Sequence, residues 1–266
     1  MDRARPRRCG LRGLWMALAC AFAAPAMAAC NGLVATGNPE YPPYLWRATP
    51  EGNRLVGANA ELMQLLSKEI GLPIEVRYVG TWARVQEEAR VGRVDLIAGA
   101  FFTLPRLDYM DYVYPAFHVT RSVVWMRQSQ PFDYQRWQDL QGKSGLSVIN
   151  NSFGEEFDRY AKEALRISTV ASLEQALRMV ERGRADYLIY EEGPAQAYIA
   201  RLNVPGLTAE PTAISNEGLY LTLSHKSACN TPELRARLAK AMYRFERQNV
   251  MKKLVEAGVQ AWRTQK

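Results

Sequence analysis

The stretch VGRVDLIAGAF at residues 91–101 returns in changed form as RGRADYLIYE at residues 182–191. An offset of 91 residues aligns Asp95 with Asp186, and in both copies a glycine stands three residues before the aspartate. A glycine that ends a helical pattern, followed by a continuous apolar run, predicts a helix and then a strand buried on both faces. The chain therefore contains one α/β unit twice, and the residues that follow each strand are the place to look for function.

The segments around both copies alternate between helical and strand patterns. Residues 58–71 show one apolar helical face, and residues 74–80 alternate as a half-buried strand does. Before the second copy, residues 145–149, 154–165 and 167–171 read as strand, helix and strand. Alternation of this kind predicts a parallel sheet covered by helices.

A β-branched, apolar segment near residues 118–126 connects the units as a first crossing. A return crossing is expected near residues 208–220, because the C-terminal region would fold back on the first unit. We predict an α/β fold with two lobes, each a mainly parallel sheet flanked by helices, and with the two crossover strands as the hinge. Lobe 1 is predicted to comprise residues 30–119 and 216–266, and lobe 2 residues 120–215.

The first 29 residues are typical of a cleaved secretory signal. Five arginines and one aspartate accompany an apolar run at residues 14–28, which ends with the small residues Ala26 and Ala28. A retained membrane anchor is the alternative, but the run is short for a bilayer. We expect a periplasmic protein. Its net charge would be +3, because removal of the signal subtracts +4 from the +7 of the whole chain, and this mild charge gives no support for a nucleic-acid partner.

Two cysteines, Cys30 and Cys229, would remain after cleavage of the signal. An even number of cysteines in an exported chain predicts a disulfide, which would bring the C-terminal region back to lobe 1. The alternative is a lipid on Cys30, although Met27 stands where a lipoprotein signal usually has leucine.

Cofactor and metal chemistry find little support in the sequence. The two histidines, His118 and His225, have no partner at metal-ligand spacing. The GKS at residues 142–144 resembles the end of a phosphate-binding loop, but Trp137 stands where its first glycine belongs. We therefore expect no cofactor, no metal and no catalytic residue.

Charged residues of opposite sign follow the two repeated strands. Thr103 and Arg106 come after the first strand, and Glu191 and Glu192 come after the second. In open α/β sheets ligands bind beyond the carboxyl ends of the strands. A small zwitterion with its carboxylate on Arg106 and its ammonium on Glu191 would form charge-assisted hydrogen bonds with both lobes.

Several segments together resemble the extracellular solute-binding proteins of family 3, the periplasmic amino-acid receptors of ABC importers. They are NPEYPPYLW, LVGANAEL, GRVDLIAGAFFTLPR, YPAF and GRADYLIYEEGPA, which begin at residues 38, 55, 92, 114 and 183. The resemblance implies a monomeric, two-lobed protein that closes around a small ligand, usually a polar amino acid. It also implies a membrane permease as the partner that receives the ligand.

The resemblance assigns expected roles to individual residues. Arg106 of the T-x-x-R element would hold the α-carboxylate, with Thr103 beside it. Glu191 would hold the α-amino group in a position where aspartate is usual. The aromatic residues Tyr44 and Trp82 would flank the side chain of the ligand.

The turn that contains Ser152 and the end of the first repeated strand are two further places where the ligand could be bound. Ser152, in NSFGEE, is expected to supply a hydrogen-bond donor. Phe101 and Phe102 stand where the family usually has a second hydroxyl for the carboxylate, and a phenyl ring cannot donate a hydrogen bond. Either a backbone N–H of Gly99 or Ala100 substitutes, or the ligand is not a standard amino acid.

Two other functional classes remain open from the sequence. The scaffold could carry enzyme activity, as in relatives similar to cyclohexadienyl dehydratases, with Glu191 or Glu192 as a general acid. It could also be a sensory or accessory module that binds a partner protein. A transport receptor is the leading interpretation.

Overall fold

The computed structural model of the chain describes residues 1–2 and 30–265, so the predicted signal at residues 1–29 falls almost wholly outside the described part. The strands are β1 Leu33–Thr36, β2 Glu40–Tyr41, β3 Leu45–Arg47, β4 Leu55–Val56, β5 Ile74–Val76, β6 Leu96–Phe101, β7 Met110–Arg127, β8 Ser144–Val148, β9 Arg166–Val170, β10 Tyr187–Glu191 and β11 Leu207–Ser224. The helices are α1 Ala58–Ile70, α2 Trp82–Arg90, α3 Glu155–Ala164, α4 Leu173–Glu181, α5 Glu192–Leu202, α6 Pro232–Arg247 and α7 Val250–Thr264, with 3-10 helices at Leu104–Asp108 and Trp137–Leu140.

Eight strands form one sheet in the order β5-β1-β6-β11-β7-β10-β8-β9. The pairs at both ends of the sheet are parallel, as predicted for each lobe. The two 18-residue strands β7 and β11 lie antiparallel to each other in the middle and join the two ends. The predicted α/β fold with two lobes and two crossover strands is confirmed.

The repeated glycine and aspartate do the same structural task in both copies. Gly92 and Gly183 have positive φ angles of 80° and 70°, which glycine adopts without strain. The Asp95 carboxylate accepts the Val34 N–H of β1 at 2.8 Å, and the Asp186 carboxylate accepts the Ser144 N–H of β8 at 2.7 Å. Each aspartate thus holds the start of the neighbouring parallel strand by a hydrogen bond. This shared structural role explains why the sequence motif occurs twice.

Most predicted helix ends agree with the structure. Gly71 caps α1 in the left-handed conformation, and the hydroxyls of Ser172 and Thr231 accept N–H groups of α4 and α6. Thr81 stands at the N-cap of α2 as expected, but its side chain makes no capping hydrogen bond. Local pattern therefore placed the helices that it predicted correctly, while the capping contacts depended on side-chain orientation.

Several features were not predicted from the sequence. They are strand β1, the helices α5 and α7, the two 3-10 helices and the small antiparallel sheet β2-β3-β4. The strands of this sheet have two or three residues each, too few for a periodic pattern. Helix α7 contains Gly258, where a Cβ atom would lie 2.4 Å from the Pro43 carbonyl oxygen, so a helix-weakening residue is needed there for close packing. Within the described residues, no helix has the length and apolarity needed to cross a bilayer.

A disulfide joins Cys30 to Cys229, with the Cα atoms 5.1 Å apart. The bond links Cys30, three residues before the start of β1, to the segment that leads into α6. It encloses most of the chain, since the two cysteines are 199 positions apart.

Loss of this bond is expected to destabilise the protein. Cys30→Ser with Cys229→Ser should lower the free energy of unfolding by about 2–4 kcal/mol, because the open chain gains conformational entropy when it unfolds. Urea titration followed by circular dichroism would measure the change. Each single variant should match the double variant. Two free thiols, or a lipid on Cys30, in protein purified without a reducing agent would contradict the prediction.

Candidate functional site

The carboxyl ends of β6 and β10 converge on the middle of β7. Phe101, the last residue of β6, pairs with Leu219 of β11. Leu219 also pairs with His118 of β7 on its other side. Glu191, the last residue of β10, pairs with Ser122. These two positions on β7 are four residues apart, which is about 13 Å along a strand. The ends of the two repeats therefore meet between the lobes.

Arg106 follows β6 on the first 3-10 helix, and only 5% of its surface is exposed. Its Nη1 donates to the Phe101 carbonyl at 2.7 Å, and its Nη2 donates to the Asn150 carbonyl at 3.3 Å. The Nε atom lies 3.4 Å from Gln86 Oε1, and the guanidinium lies 5.4 Å from the centre of the Trp82 ring. A buried cation held in a fixed orientation is suited to bind an anion.

Glu191 lies at the end of β10 with 3% of its surface exposed. Burial raises the pKa of this carboxyl to about 7, although its own backbone N–H, the Asn151 amide, the Arg106 charge and the Tyr41 hydroxyl all act in the opposite direction. Its Oε2 atom, the Tyr41 hydroxyl and the Asn151 amide nitrogen are buried near one another, but none makes a well-formed hydrogen bond among the described residues. Buried polar groups in native proteins are nearly always paired, so this group has unused capacity to bind a ligand.

A cavity of about 20 Å³ lies among these groups. This volume holds about one water molecule, so it is too small for an amino acid in the conformation described. Six of the eight predicted binding residues line it. The lining consists of Asn38, Tyr41, Trp82, Gly99, Ala100, Phe101, Arg106, Asn151, Ser152, Glu191 and Leu219.

Thr103 faces a different space. It lines an open crevice of about 520 Å³ between α2 and α3, on the other side of Arg106. The crevice and the cavity share Arg106, Asn151 and Ser152 in their walls. Arg106 therefore stands between the inner cavity and the outer crevice.

Tyr44 also lies outside the cavity lining. Its hydroxyl is 3.0 Å from His118 Nε2, and burial raises the pKa of Tyr44 to about 12 while it lowers the pKa of His118. Tyr41 packs against Tyr44 with ring centres 5.0 Å apart, and it is Tyr41 that reaches the cavity. The aromatic residue nearest to Glu191 in this segment is thus three positions before the one that the sequence indicated.

Phe101 and Phe102, at the end of β6, both contact Tyr112. The Phe101 carbonyl accepts the Tyr112 hydroxyl at 2.7 Å, and the Phe102 ring packs 5.0 Å from the Tyr112 ring. Gly99 has a φ angle of 117°, and a Cβ atom there would lie 2.9 Å from the Asn59 amide nitrogen. Gly99 and Ala100 both line the cavity.

Ser152 borders the cavity, but its hydroxyl proton is already engaged. The hydroxyl donates to Asp158, whose pKa is raised by burial, and accepts the Gly154 N–H at 3.3 Å. Any hydrogen bond from Ser152 to a ligand would require the hydroxyl to leave Asp158.

Glu192 is separate from the cavity. It begins α5, keeps 42% of its side chain exposed, and accepts a hydrogen bond from Arg121 at 2.8 Å. Of the two adjacent glutamates, Glu191 alone lines the cavity.

Four lining residues were missed by the sequence analysis: Asn38, Tyr41, Asn151 and Leu219. Tyr41 and Asn38 lie in the same NPEYPPYLW segment as Tyr44, so that segment was the available signal. Leu219 reaches the site only through the pairing of β11 with β6. Among the described residues, no group of three or more potential metal ligands is present.

The sequence profile described as bacterial extracellular solute-binding proteins, family 3, matches residues 33–258. None of the curated proteins matches the chain in sequence. Solved structures with the same fold fall into more than one class of protein.

One similar structure is an amino acid ABC transporter substrate-binding protein, AbpA of Streptococcus pneumoniae, bound to L-arginine. It is 20% identical, with a TM-score of 0.71, over 87% of this chain and 96% of that chain. The periplasmic VFT2 domain of Bordetella pertussis BvgS is 20% identical, with a TM-score of 0.67, over 89% of this chain and 95% of that chain. A histidine kinase sensor domain with similarity to periplasmic binding proteins is 21% identical, with a TM-score of 0.69, over 87% of this chain and 95% of that chain.

The profile covers almost the whole described chain, and the similar structures share its two-lobed α/β fold. The chain belongs to the bacterial extracellular solute-binding proteins of family 3.

Proposed function

We propose that the protein captures a small zwitterion, an amino acid or a close relative, between its two lobes. The observation that carries this proposal is the opposition of Arg106 and Glu191 at one buried cavity, where a carboxylate oxygen lacks a well-formed hydrogen bond among the described residues. A buried carboxylate without a partner is costly, and a ligand ammonium group would remove that cost. Arg106 would at the same time bind the ligand carboxylate through two N–H groups.

The other cavity residues would shape the rest of the site. Trp82 would cover one side of the ligand, and the backbone N–H groups of Gly99 and Ala100 would assist Arg106. Thr103 and Ser152 would contribute hydroxyl groups from opposite lobes after small side-chain movements. Tyr44 would act from behind Tyr41 by supporting its ring, which lies 5.0 Å away.

Ligand entry requires rotation of the lobes. We retain residues 30–119 with 216–266 as lobe 1 and residues 120–215 as lobe 2. The lobes are joined by β7 and β11, whose pairing shifts register between Ala209 and Ser215. A few strand residues can absorb a hinge rotation while each core stays packed, and the 20 Å³ cavity must widen before any amino acid can enter.

Delivery of the ligand to an ABC permease, by a periplasmic monomer exported through a cleaved signal, is the role that the family resemblance favours. The similar histidine kinase sensor domain supports a second candidate, a ligand-sensing module. Uptake of radiolabelled ligand in cells that lack this protein would separate the two roles. Transport predicts lost uptake that the wild-type gene restores, whereas sensing predicts unchanged uptake.

A thermal-shift screen tests the proposed binding activity. We expect at least one amino acid or related zwitterion to raise the melting temperature, since a ligand at one hundred times its Kd adds about 2.7 kcal/mol to the free energy of unfolding. The corresponding simple carboxylates and amines should give much smaller shifts. Equal shifts from them, or no shift from any zwitterion, would contradict the proposal.

The same samples test for enzyme activity. The family consists of solute-binding proteins, and we propose that a bound ligand is released unchanged. Mass spectrometry of the ligand after long incubation should recover it without conversion. A protein-dependent product would favour the alternative in which Glu191 acts as a general acid.

A further inference from the structure

One backbone carbonyl accepts three hydrogen bonds across the cleft. The Asn150 oxygen of lobe 2 accepts the Trp82 indole N–H at 3.1 Å and the Gln86 amide N–H at 3.2 Å. The third donor is Arg106 Nη2 at 3.3 Å. Asn150 adopts a left-handed conformation with a φ of 60°, which turns the chain after β8. Other hydrogen bonds between the lobes occur singly, such as that from the Asn38 amide to the Tyr190 hydroxyl.

Gln86 is the residue that organises this contact. It is buried on α2, and its Oε1 atom lies 3.4 Å from Arg106 Nε and accepts the Tyr109 hydroxyl at 3.3 Å. Since the oxygen faces these donors, the amide nitrogen must face Asn150. One side chain therefore holds Arg106 in place and binds the opposite lobe.

The Asn150 carbonyl uses a donor that the proposed ligand would need. The guanidinium has five N–H groups, and those directed at Gln86 and at the Phe101 and Asn150 carbonyls leave only two for a ligand carboxylate. The cavity that remains has about 20 Å³, the space of about one water molecule. This closed arrangement and a bound amino acid therefore exclude each other.

We propose that Gln86 and Trp82 clamp the Asn150 carbonyl in a self-closed, autoinhibited form of the cleft, which a ligand must displace to reach Arg106. That the closed form inhibits ligand binding rests on the proposed function, whereas the existence of the closed form does not. The apparent affinity of a protein is reduced by the fraction of molecules in its competent form. Gln86 and Trp82 would thus set affinity through the population of open molecules.

Distance measurement between the lobes tests the clamp without any ligand. Spin labels at Glu61→Cys and Glu163→Cys lie on exposed positions of α1 and α3, and pulsed electron paramagnetic resonance reports their separation. In the wild type we expect one short distance as the dominant population. Trp82→Phe removes the indole donor and keeps a ring beside Arg106, so a second, longer distance should become prominent.

Gln86→Glu provides a second variant of nearly the same size. It keeps the oxygen that faces Arg106 and replaces the amide donor with an oxygen that repels the Asn150 carbonyl, so it should shift the population further to long distances. Glu87→Gln, on the exposed side of the same helix, should match the wild type. Circular dichroism melting would establish that each variant is folded.

Two results would overturn the proposal. One is a long distance as the dominant population in the wild type, which would mean that the cleft does not close by itself. The other is an unchanged short distance in both folded variants, which would mean that other contacts hold the cleft shut. Because no ligand is present in the measurement, failure of the thermal-shift screen leaves its outcome unaffected.

Discussion

Replacing Arg106 with alanine is expected to weaken ligand binding by at least about thirtyfold. The guanidinium is 5% exposed and lies at the cavity shared by both lobes, so its removal would leave the ligand carboxylate buried without a partner. Truncation of one member of such a pair typically costs about 2–5 kcal/mol, and each 1.4 kcal/mol is a factor of about ten in Kd. Isothermal titration calorimetry with the ligand from the thermal-shift screen would measure the loss.

Arg106→Lys serves as the matched variant. Lysine keeps the positive charge but lacks the planar fork that binds a carboxylate with two N–H groups, so its affinity should lie between those of the wild type and Arg106→Ala. Near-native affinity in Arg106→Ala, in protein with a normal unfolding transition, would contradict the proposed contact. Equal losses in both variants would indicate that geometry matters more than charge at this position.

The sequence allowed prediction of the fold because its signals are local and repeated. Gly92 and Gly183 both adopt a positive φ angle in the turn before a strand. Asp95 and Asp186 each accept a hydrogen bond from the start of a neighbouring strand. Arg106 could be identified as a candidate for the same reason, because parallel strands present their carboxyl ends to one region. Charges that follow such strands are therefore brought together by the topology.

Other parts of the site depend on contacts that leave no local pattern. Tyr41 and Tyr44 flank the same double proline, and only packing decides that the Tyr41 ring faces the cavity. Leu219 reaches the site through strand register. The Asn150 carbonyl is a backbone atom that every residue type possesses, so the sequence gives no sign that three donors converge on it.

Ligand affinity is expected to fall about fiftyfold when the pH is lowered from 7 to 5. Burial raises the pKa of Glu191 to about 7, and an ammonium group requires the ionised carboxylate, so the protein must release a proton to bind. Linkage then gives a loss that approaches tenfold per pH unit below the pKa of the free protein. Ligand α-amino and α-carboxyl groups keep their charges across this range. Calorimetry at several pH values would measure the slope.

The stability of the protein without ligand should change in the opposite direction. A carboxyl with a raised pKa in the folded state favours folding at low pH, and this contribution is lost as the pH rises from the ordinary glutamate value of 4.5 through about 7. The melting temperature without ligand should therefore contain a component that decreases over this interval. A saturating ligand should remove this component, because Glu191 is then ionised in both the bound folded state and the unfolded state over this interval.

Neighbouring groups are poor alternatives as the source of this pH dependence. Burial raises the pKa of Tyr44 to about 12 and holds those of Tyr41 and Tyr190 well above their usual value, so these hydroxyls stay neutral. Burial lowers the pKa of His118, which lies behind Tyr44, and raises that of Asp158 beside Ser152. A control experiment must therefore distinguish the titration of Glu191 from that of His118 and Asp158.

Glu191→Gln and Glu192→Gln supply that control. Glu191→Gln keeps the shape of the side chain and removes the charge, so it should weaken binding at pH 7 and abolish most of the pH dependence. Glu192→Gln should lose only an exposed ion pair with Arg121, which is worth about 0–1 kcal/mol, and should keep the wild-type slope. A slope that persists in Glu191→Gln would assign the proton to another group, such as Asp158 or His118. Affinity that increases as the pH falls would mean that Glu191 binds as a neutral acid and donates its proton to a ligand oxygen, so the ligand would have no ammonium group at this site.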